Sequence, residues 1–368
     1  MALYVTEGRK LEERAYFARL IDQAEKMGMR AFVFTPEDVR GREILGHFYN
    51  PAAKAWRRKL TPFPDVVYDR CRYQPTPRFR QLQRFRLKYP HLLYTNRPMA
   101  NKWVIYQLLS QNRGLSRYLP ETVLLRSSGD ALDLLGRYRM IYAKPINGTG
   151  GRGVLRIEKL ANGGYRVMGR DRHRKILKPR TCSAAQLLPL LRKLAQEGDY
   201  LAQRGIETRL ANGRVHDFRV LVQKNGQGQW QLTGGAARVG PSGSITSNLH
   251  GGGSAAAMDR LLELRFGDAS RVRAIQREVE QLCYDILREL EKKYTELCEM
   301  AFDLAIDRNG RIWLLELNPK PSREVFRRLG QTATYALAIR RPLEYARWVY
   351  QHRRNGLRRK TGTANELD

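Results

Sequence analysis

The chain has 368 residues, 67 of them Lys or Arg and 36 Asp or Glu, for a formal net charge of +31 at pH 7, and 42% are hydrophobic. That length suits two or three packed domains, and no apolar run approaches the ~18 residues of a membrane span. The amino terminus, MALYVTEGRKLEER, lacks the apolar centre of a secretory signal, and Cys71, Cys182, Cys283 and Cys298 form no CxxC pair and have no His at metal spacing. This argues against a disulfide framework or zinc site and for a soluble, cytoplasmic protein whose cysteines are packing residues.

In chain order, residues 11–28 carry apolar positions at helical spacing and end at Gly28. Residues 31–35 (AFVFT) read as a buried strand closed by Pro36, and Val66 to Tyr68 as a second one. Strand–helix alternation then predicts a small α/β domain up to about residue 95. Residues 78–88 (RFRQLQRFRLK) read as a helix with Phe79, Leu82 and Phe85 inward. Residues 102–111 look helical, and a strand follows at 123–125. From 139 the chain turns β-rich, with RMIYAKPI, GVLRIEKL and GYRVMG. A helix at 184–196, a strand in YLAQRGI, strands at 218–223, 229–233, 301–306 and 312–317, a helix at 270–293 and a last helix at 333–352 complete the pattern, before a polar, frayed tail. The basic surplus, concentrated at 78–88 and 340–360, suits an anionic partner: nucleotide, acidic polypeptide or nucleic acid.

Gly148, Thr149, Gly150, Gly151, Arg152 and Gly153 satisfy GxGxxG, but Val154 to Ile157 read as a strand where a dinucleotide fold needs a helix. A phosphate loop of the GK[ST] type would need Lys where Val154 stands. What remains is a strand–glycine–strand hairpin whose N–H groups can approach phosphate oxygens, with Lys144 as a nearby point charge. A mobile surface hairpin fits the same residues equally well.

In FDLAIDRNGRIWLLELN, Asn309-Gly310 between apolar runs signals a two-residue hairpin. Pairing Arg308 with Arg311 puts Asp303 opposite Glu316, and Asn318 falls on the same face. Carboxylates opposed at ~5 Å repel each other, a conflict that a divalent cation with hard oxygen ligands such as Mg²⁺ removes. Phe302, Leu304, Ile306, Trp313, Leu315 and Leu317 are then expected on the opposite, core face.

In this order Lys102, Lys144 with its glycine loop, YLAQRGI, HDFRVLV, SNLHGGGSA and FDLAID…WLLELN resemble the ATP-grasp superfamily over roughly residues 96–330. SNLHGGGSA and HDFRVLV look like the ligases that add glutamate to peptide ends. PDVVYDR, NRPMANKW and LPETVLL look closest to the YheC/YheD endospore coat-associated family. The resemblance implies an α/β (α+β) ATP-grasp fold: an N-terminal domain over 1–95, an ATP-grasp domain over 96–330 with a central lid at about 136–205, and a C-terminal helix and basic tail over 331–368. It also implies an ATP-dependent carboxylate–amine ligase acting through an acyl phosphate, or else a non-catalytic spore coat protein with this fold.

By the same resemblance ATP and Mg²⁺, as two ions, are the cofactors. Lys102 and Lys144 would contact the phosphates or the adenine edge, and Gly148, Thr149, Gly150, Gly151 and Gly153 would close over the phosphates. Gln203, Arg204, Gly205 and Ile206 would read adenine, with Glu207 at the ribose. Arg219 and Arg238 would neutralise the transferring phosphoryl group, Asn248 would steady the acyl phosphate, and Asp303, Glu316 and Asn318 would hold the metal. The hinge departs from its relatives, which usually have an acid and a bulky residue where Arg204 and Gly205 stand. His216 and His250 read as structural hydrogen-bonders. The implied substrates are an acidic peptide or amino acid and an amine, with spore coat proteins as partners.

Overall fold

The computed structural model describes residues 11–72, 77–148, 150–173, 175–247, 249 and 252–362, with side chains to 352. Helix α1 (Arg14–Lys26) buries Phe17, Leu20, Ile21 and Ala24 as one stripe. It leads into β1 (Val39–Arg40), β2 (Glu43–Asn50) and β3 (Ala55–Pro62), an antiparallel sheet in that order. The strand expected at 31–35 reduces to a single bridge between Val33 and His47. Thr35 and Asp38 close a tight turn through Pro36, the Thr35 amide donating to the Asp38 carboxylate at 2.8 Å, and the chain lifts off β2 between two pairings. Phe34 is buried all the same, so its apolar character marks core rather than ladder. Strand β4 (Val66–Tyr68), α2 (Pro77–Lys88) and β5 (Leu93–Thr95) follow, with β4 and β5 parallel. As expected, α2 turns Phe79, Leu82 and Phe85 inward.

The next stretch runs through α3 (Lys102–Ser110), α4 (Arg113–Ser116), β6 (Thr122–Leu124), α5 (Ser128–Arg137), β7 (Met140–Pro145), β8 (Leu155–Lys159), β9 (Tyr165–Arg170), β10 (Ile176–Cys182), α6 (Ala184–Gln196) and β11 (Tyr200–Arg204). Its antiparallel sheet has the order β10-β9-β8-β7-β11-β6. Alternation along β7 and β8 sends Ile141, Ala143, Leu155 and Ile157 into a core with α5 and α6. Tyr142 and Lys144 take the opposite face, with Gln203 paired beside Tyr142.

The last stretch contains β12 (His216–Lys224), β13 (Trp230–Val239), β14 (Ser254–Ala257), α7 (Met258–Phe266), α8 (Ala269–Glu291), β15 (Glu299–Ile306), β16 (Ile312–Asn318), α9 (Glu324–Arg328) and α10 (Thr332–Gly362). Its sheet, β14-β13-β12-β15-β16, is antiparallel throughout. One face packs Phe218, Val220, Phe302 and Leu304 against α7 and α8, forming the largest core. Helix α10 runs ten residues past its expected end at 352 and packs Ile339 and Leu343 on Leu20 and Ala24 of α1.

A buried polar cluster joins the N-terminal elements to this sheet. Glu299 has no exposed surface and is paired with Arg323 and, at 3.0 Å, with Arg70, while Gln223 donates to it at 3.0 Å. Among the described residues no helix is long and apolar enough to cross a membrane. All four cysteines are buried and free, as packing residues are.

Candidate active site

The hairpin of β15 and β16 departs from its expected geometry twice, and the departures cancel. The turn holds three residues rather than two: the Asp307 amide donates to the Arg311 carbonyl, with Gly310 at φ +86° inside the loop. Left alone, that would slip the register by one. Leu315 then stands unpaired as a β-bulge, because Leu304 pairs with Leu314 but Asp303 with Glu316. The expected opposition of Asp303 and Glu316 is therefore restored. The core face is corrected, however: Ile312 and Leu314 join Phe302, Leu304 and Ile306, while Trp313 and Leu315 pack with Ala305 and Ile206 on the other side.

That other side is a charged row across four strands. The register puts Arg238 opposite Asp217, Arg219 opposite Asp303, and Asp303 opposite Glu316. Arg219 grips Asp303 through two hydrogen bonds of 2.9 and 2.8 Å. Arg238 grips Asp217 through two of 2.6 Å and also reaches Asp303 at 3.0 Å. Asn318 donates to Asp303 at 3.1 Å. Burial opposes ionisation of Asp303, but the Arg219 and Arg238 guanidiniums outweigh it and hold its carboxyl below the usual range. The carboxylate conflict inferred from the sequence is thus relieved by arginines, and by Lys102, 3.5 Å from Glu316.

Above this row, the sheet of β7 and β11 supplies the opposing wall. Lys144 donates to the Gln203 side chain at 2.8 Å and to the Leu315 carbonyl, exposed by the bulge, at 3.2 Å. Burial first, then the neighbouring Lys102, lowers its pKa to about 8 against the pull of Glu316 and Asp303. Lys102 donates to the Gly148 carbonyl at 2.9 Å, tethering the start of the glycine loop to the acid row. Gly150, Gly151 and Gly153 have φ of +72°, +74° and +65°, values only glycine adopts freely.

Two clefts meet at Lys144, Gln203, Leu315 and Glu316. The first is mostly apolar, with Ile105, Leu109 and Leu119. The second, open to solvent, is lined by Tyr142, Ile206, Asp217, Arg238 and Asp303. A third, holding Arg72, Lys102, Gly148, Glu316 and Asn318, opens toward the N-terminal elements.

The hinge has its own local logic. Arg204 lies between the rings of Tyr138 and Trp313, 4.6 and 4.7 Å from their centroids. Gly205 packs so closely on Met140 that a Cβ would stand 2.6 Å from its side chain. Glu207 lines none of the three clefts; it is exposed and faces Arg156 and Arg209. His216 borders the second cleft; burial, then Arg265, depresses its pKa to about 4. Its ring nitrogens make no well-formed hydrogen bond among the described residues, and the Thr208 backbone is the one hydrogen-bonding group that raises its pKa. Asn248, Thr149 and His250 lie outside the described residues. Sequence reasoning missed Asp217, although it stands two residues before Arg219 and so on the same strand face, and it missed Tyr142 and Arg72.

Asp303, Glu316 and Asn318 offer only oxygen toward a cation once the Asn318 amide nitrogen is engaged with Asp303, which is a donor set suited to Mg²⁺. Among the described residues no three His, Cys, Asp or Glu side chains cluster as a metal site, so a cation here would need further oxygens from a ligand.

The sequence model of a YheC/D like ATP-grasp family matches residues 91–349. Two curated proteins of Bacillus subtilis (strain 168) are similar. "Endospore coat-associated protein YheD" is 28% identical over 93% of this chain and 75% of its own length, and "Endospore coat-associated protein YheC" is 27% identical over 86% and 88%. Among solved structures, D-cycloserine synthetase DcsG superposes with a TM-score of 0.52 at 14% identity, covering 91% of this chain and 93% of that one, a likeness of fold.

Proposed function

Because the chain belongs to the YheC/D-like ATP-grasp family, we propose that it is an ATP-dependent carboxylate–amine ligase. In this reading a substrate carboxylate attacks the γ-phosphorus of ATP and ADP leaves. An amine nitrogen then attacks the acyl carbon, phosphate departs, and the amine gives up a proton as the amide forms. The observation that carries the reading is the single sheet face on which Arg238, Arg219, Asp303, Glu316 and Asn318 converge beneath Lys144 and Lys102.

Phosphoryl transfer is mainly a problem of alignment and charge neutralisation. The base would lie in the second cleft against residues 203–206, with Ile206 and Leu315 as apolar floor and Asp217 placed for the sugar. Lys102, Lys144 and the glycine loop would hold the phosphates. Asp303, Glu316 and Asn318 would hold Mg²⁺, which supplies positive charge shared with phosphate oxygens. Arg219 and Arg238, already aimed at Asp303, would then face the transferring group. The third cleft, with Arg72 on its wall, would receive the acid; the basic surplus suits an acidic peptide or amino acid. From the names of the curated relatives we extend to this chain an association with the endospore coat and its proteins.

ADP release should be measured across a panel of acidic amino acids and peptides with amines, the product being identified by mass spectrometry. Acid-dependent ADP release with an amide product is expected; nucleotide binding without acid-dependent turnover would sink the ligase reading. One observation favours a non-catalytic coat protein instead: the Asp303 oxygens are already occupied by Arg219, Arg238 and Asn318. Nucleotide bound but never consumed is that reading's outcome.

A further inference from the structure

The described part of the basic concentration at 340–360, up to His352, lines none of the three clefts, and the structure gives its first turns a specific setting. A cavity separate from the three clefts lies between α10 and the turn joining β12 to β13. Its wall includes Arg340, Arg341, Arg347, Trp348, Gln231 and Glu344. Asn225 fixes the turn, its side-chain oxygen accepting from the Gln227 and Gln229 amides at 2.9 and 3.0 Å.

Arg341 is only 7% exposed. Its hydrogen bonds all go to neutral oxygens: the Leu232 carbonyl at 2.9 Å, the Gln231 carbonyl at 3.2 Å, the Thr233 hydroxyl at 2.7 Å and the Gln231 side chain at 2.9 Å. No carboxylate of the described residues pairs with it. The one acid on the wall, Glu344, is engaged by Arg340 at 2.8 Å. Arg347 donates to the Met27 carbonyl, again a neutral partner. Three guanidiniums against one carboxylate leave a surplus of two positive charges around a polar hollow. Only Arg341 of the three is buried, with Glu344 acting on it without a hydrogen bond, while Arg340 and Arg347 are exposed at the rim. A buried cation short of opposing charge is costly, and a bound anion offsets part of that cost.

We propose that this cavity is a second anion site, distinct from the cleft, which takes a dianionic phosphate group. Guanidinium forks match the tetrahedral oxygens of phosphate, and its two charges balance the surplus, which a single carboxylate would only halve. Gln231, whose side-chain oxygen is turned to Arg341, has its amide hydrogens left to donate. The helix continues beyond the cavity with Arg353, Arg354, Arg358, Arg359 and Lys360 in its sequence, a basic run suited to the rest of a phosphate chain whose dianionic terminal group sits in the cavity.

The test is calorimetric titration of the full-length chain, its cleft first saturated with Mg-ADP, using orthophosphate, tripolyphosphate and glutarate as separate probes. One orthophosphate site is expected, weakened at least about tenfold in the Arg340→Gln/Arg347→Gln double variant and unchanged in Lys144→Ala. Tripolyphosphate binding more tightly than orthophosphate would assign the site to a phosphate chain; equal affinity would assign it to a single phosphate group. Arg341→Gln should also lose binding, and it is read only if its unfolding midpoint matches wild type; the double variant stands without it. No orthophosphate site, binding unaffected by the double substitution, or glutarate binding as tightly would overturn the proposal. Because Lys144→Ala reports on the cleft alone, a failed nucleotide site and a failed second site are told apart.

Discussion

Lys144 sits where burial and function pull in opposite directions. Its pKa falls from an ordinary 10.5 to about 8. Between those values the unfolded chain holds the proton more tightly than the folded one, so this group's contribution to stability rises with pH through that window. Nucleotide binding should run the other way, because a phosphate tail needs the ammonium. Affinity for ATP is expected to fall as pH rises past about 8, with proton uptake on binding measurable by calorimetry in buffers of different ionisation enthalpy. Lys144→Gln should abolish both effects, and an unchanged pH profile in that variant would assign the titration elsewhere. Glu316 makes a second residue-scale prediction. Glu316→Gln should eliminate ADP release while leaving the thermal midpoint nearly unchanged, since among the described residues its one ion pair is the 3.5 Å contact to a part-exposed Lys102. At this scale the sequence disclosed residue types and the opposition of Asp303 and Glu316, but not the arginine pairings. Arg219, Arg238 and Asp303 were each legible as site residues, yet their mutual grip was hidden, because it depends on β12 lying between β13 and β15.

At the scale of elements, the acid hairpin shows how a correct outcome can rest on an incomplete geometry. Asn309-Gly310 marked the turn, but whether two or three residues close it depends on how Asp307 is used. Its side chain accepts from the Asn309 and Arg311 amides at 2.9 and 3.1 Å and draws one more residue into the loop. The bulge at Leu315 has no sequence signature among apolar neighbours, and it explains why Trp313 and Leu315 share the Glu316 side of the strand and pack with Ile206. Strand β10 was missed for a related reason: six of its seven residues are exposed, so no apolar alternation advertises it. The hinge yields a test at this scale. Gly205→Ala would drive its Cβ to 2.6 Å from Met140 Cγ and Cε, an overpacking expected to cost about 1–3 kcal/mol. Urea denaturation should show that loss, and Gly205→Ala with Met140→Ala should recover part of it. Independent, additive losses would mean that the hinge glycine serves some other purpose.

For the whole molecule, hydrophobic periodicity disclosed most strands and helices between residues 102 and 352, but not the β1-β2-β3 sheet nor α5, β14, α7 and α9. The joint between the N-terminal elements and the central sheet was not readable. Glu299 is separated in sequence by more than 200 residues from Arg70, and only the fold brings them within 3.0 Å. Glu299→Gln would leave Arg323 buried without its anion, whereas Arg70 keeps Glu13 at 3.1 Å, so a loss of about 3–5 kcal/mol in unfolding free energy is expected. A loss below about 1 kcal/mol would show that neighbouring tyrosines and carbonyls suffice. The central claim concerns the nucleotide site further along the same sheet, where Asp303 in the middle of β15 and Glu316 and Asn318 on β16 are held to share a cation with a bound nucleotide. It is tested most directly by calorimetric binding of a non-hydrolysable ATP analogue with and without Mg²⁺, to the wild type and to Glu316→Gln. The account predicts that Mg²⁺ tightens binding at least about tenfold in the wild type and has little effect in the variant. Equal affinity with and without Mg²⁺ in the wild type would contradict it.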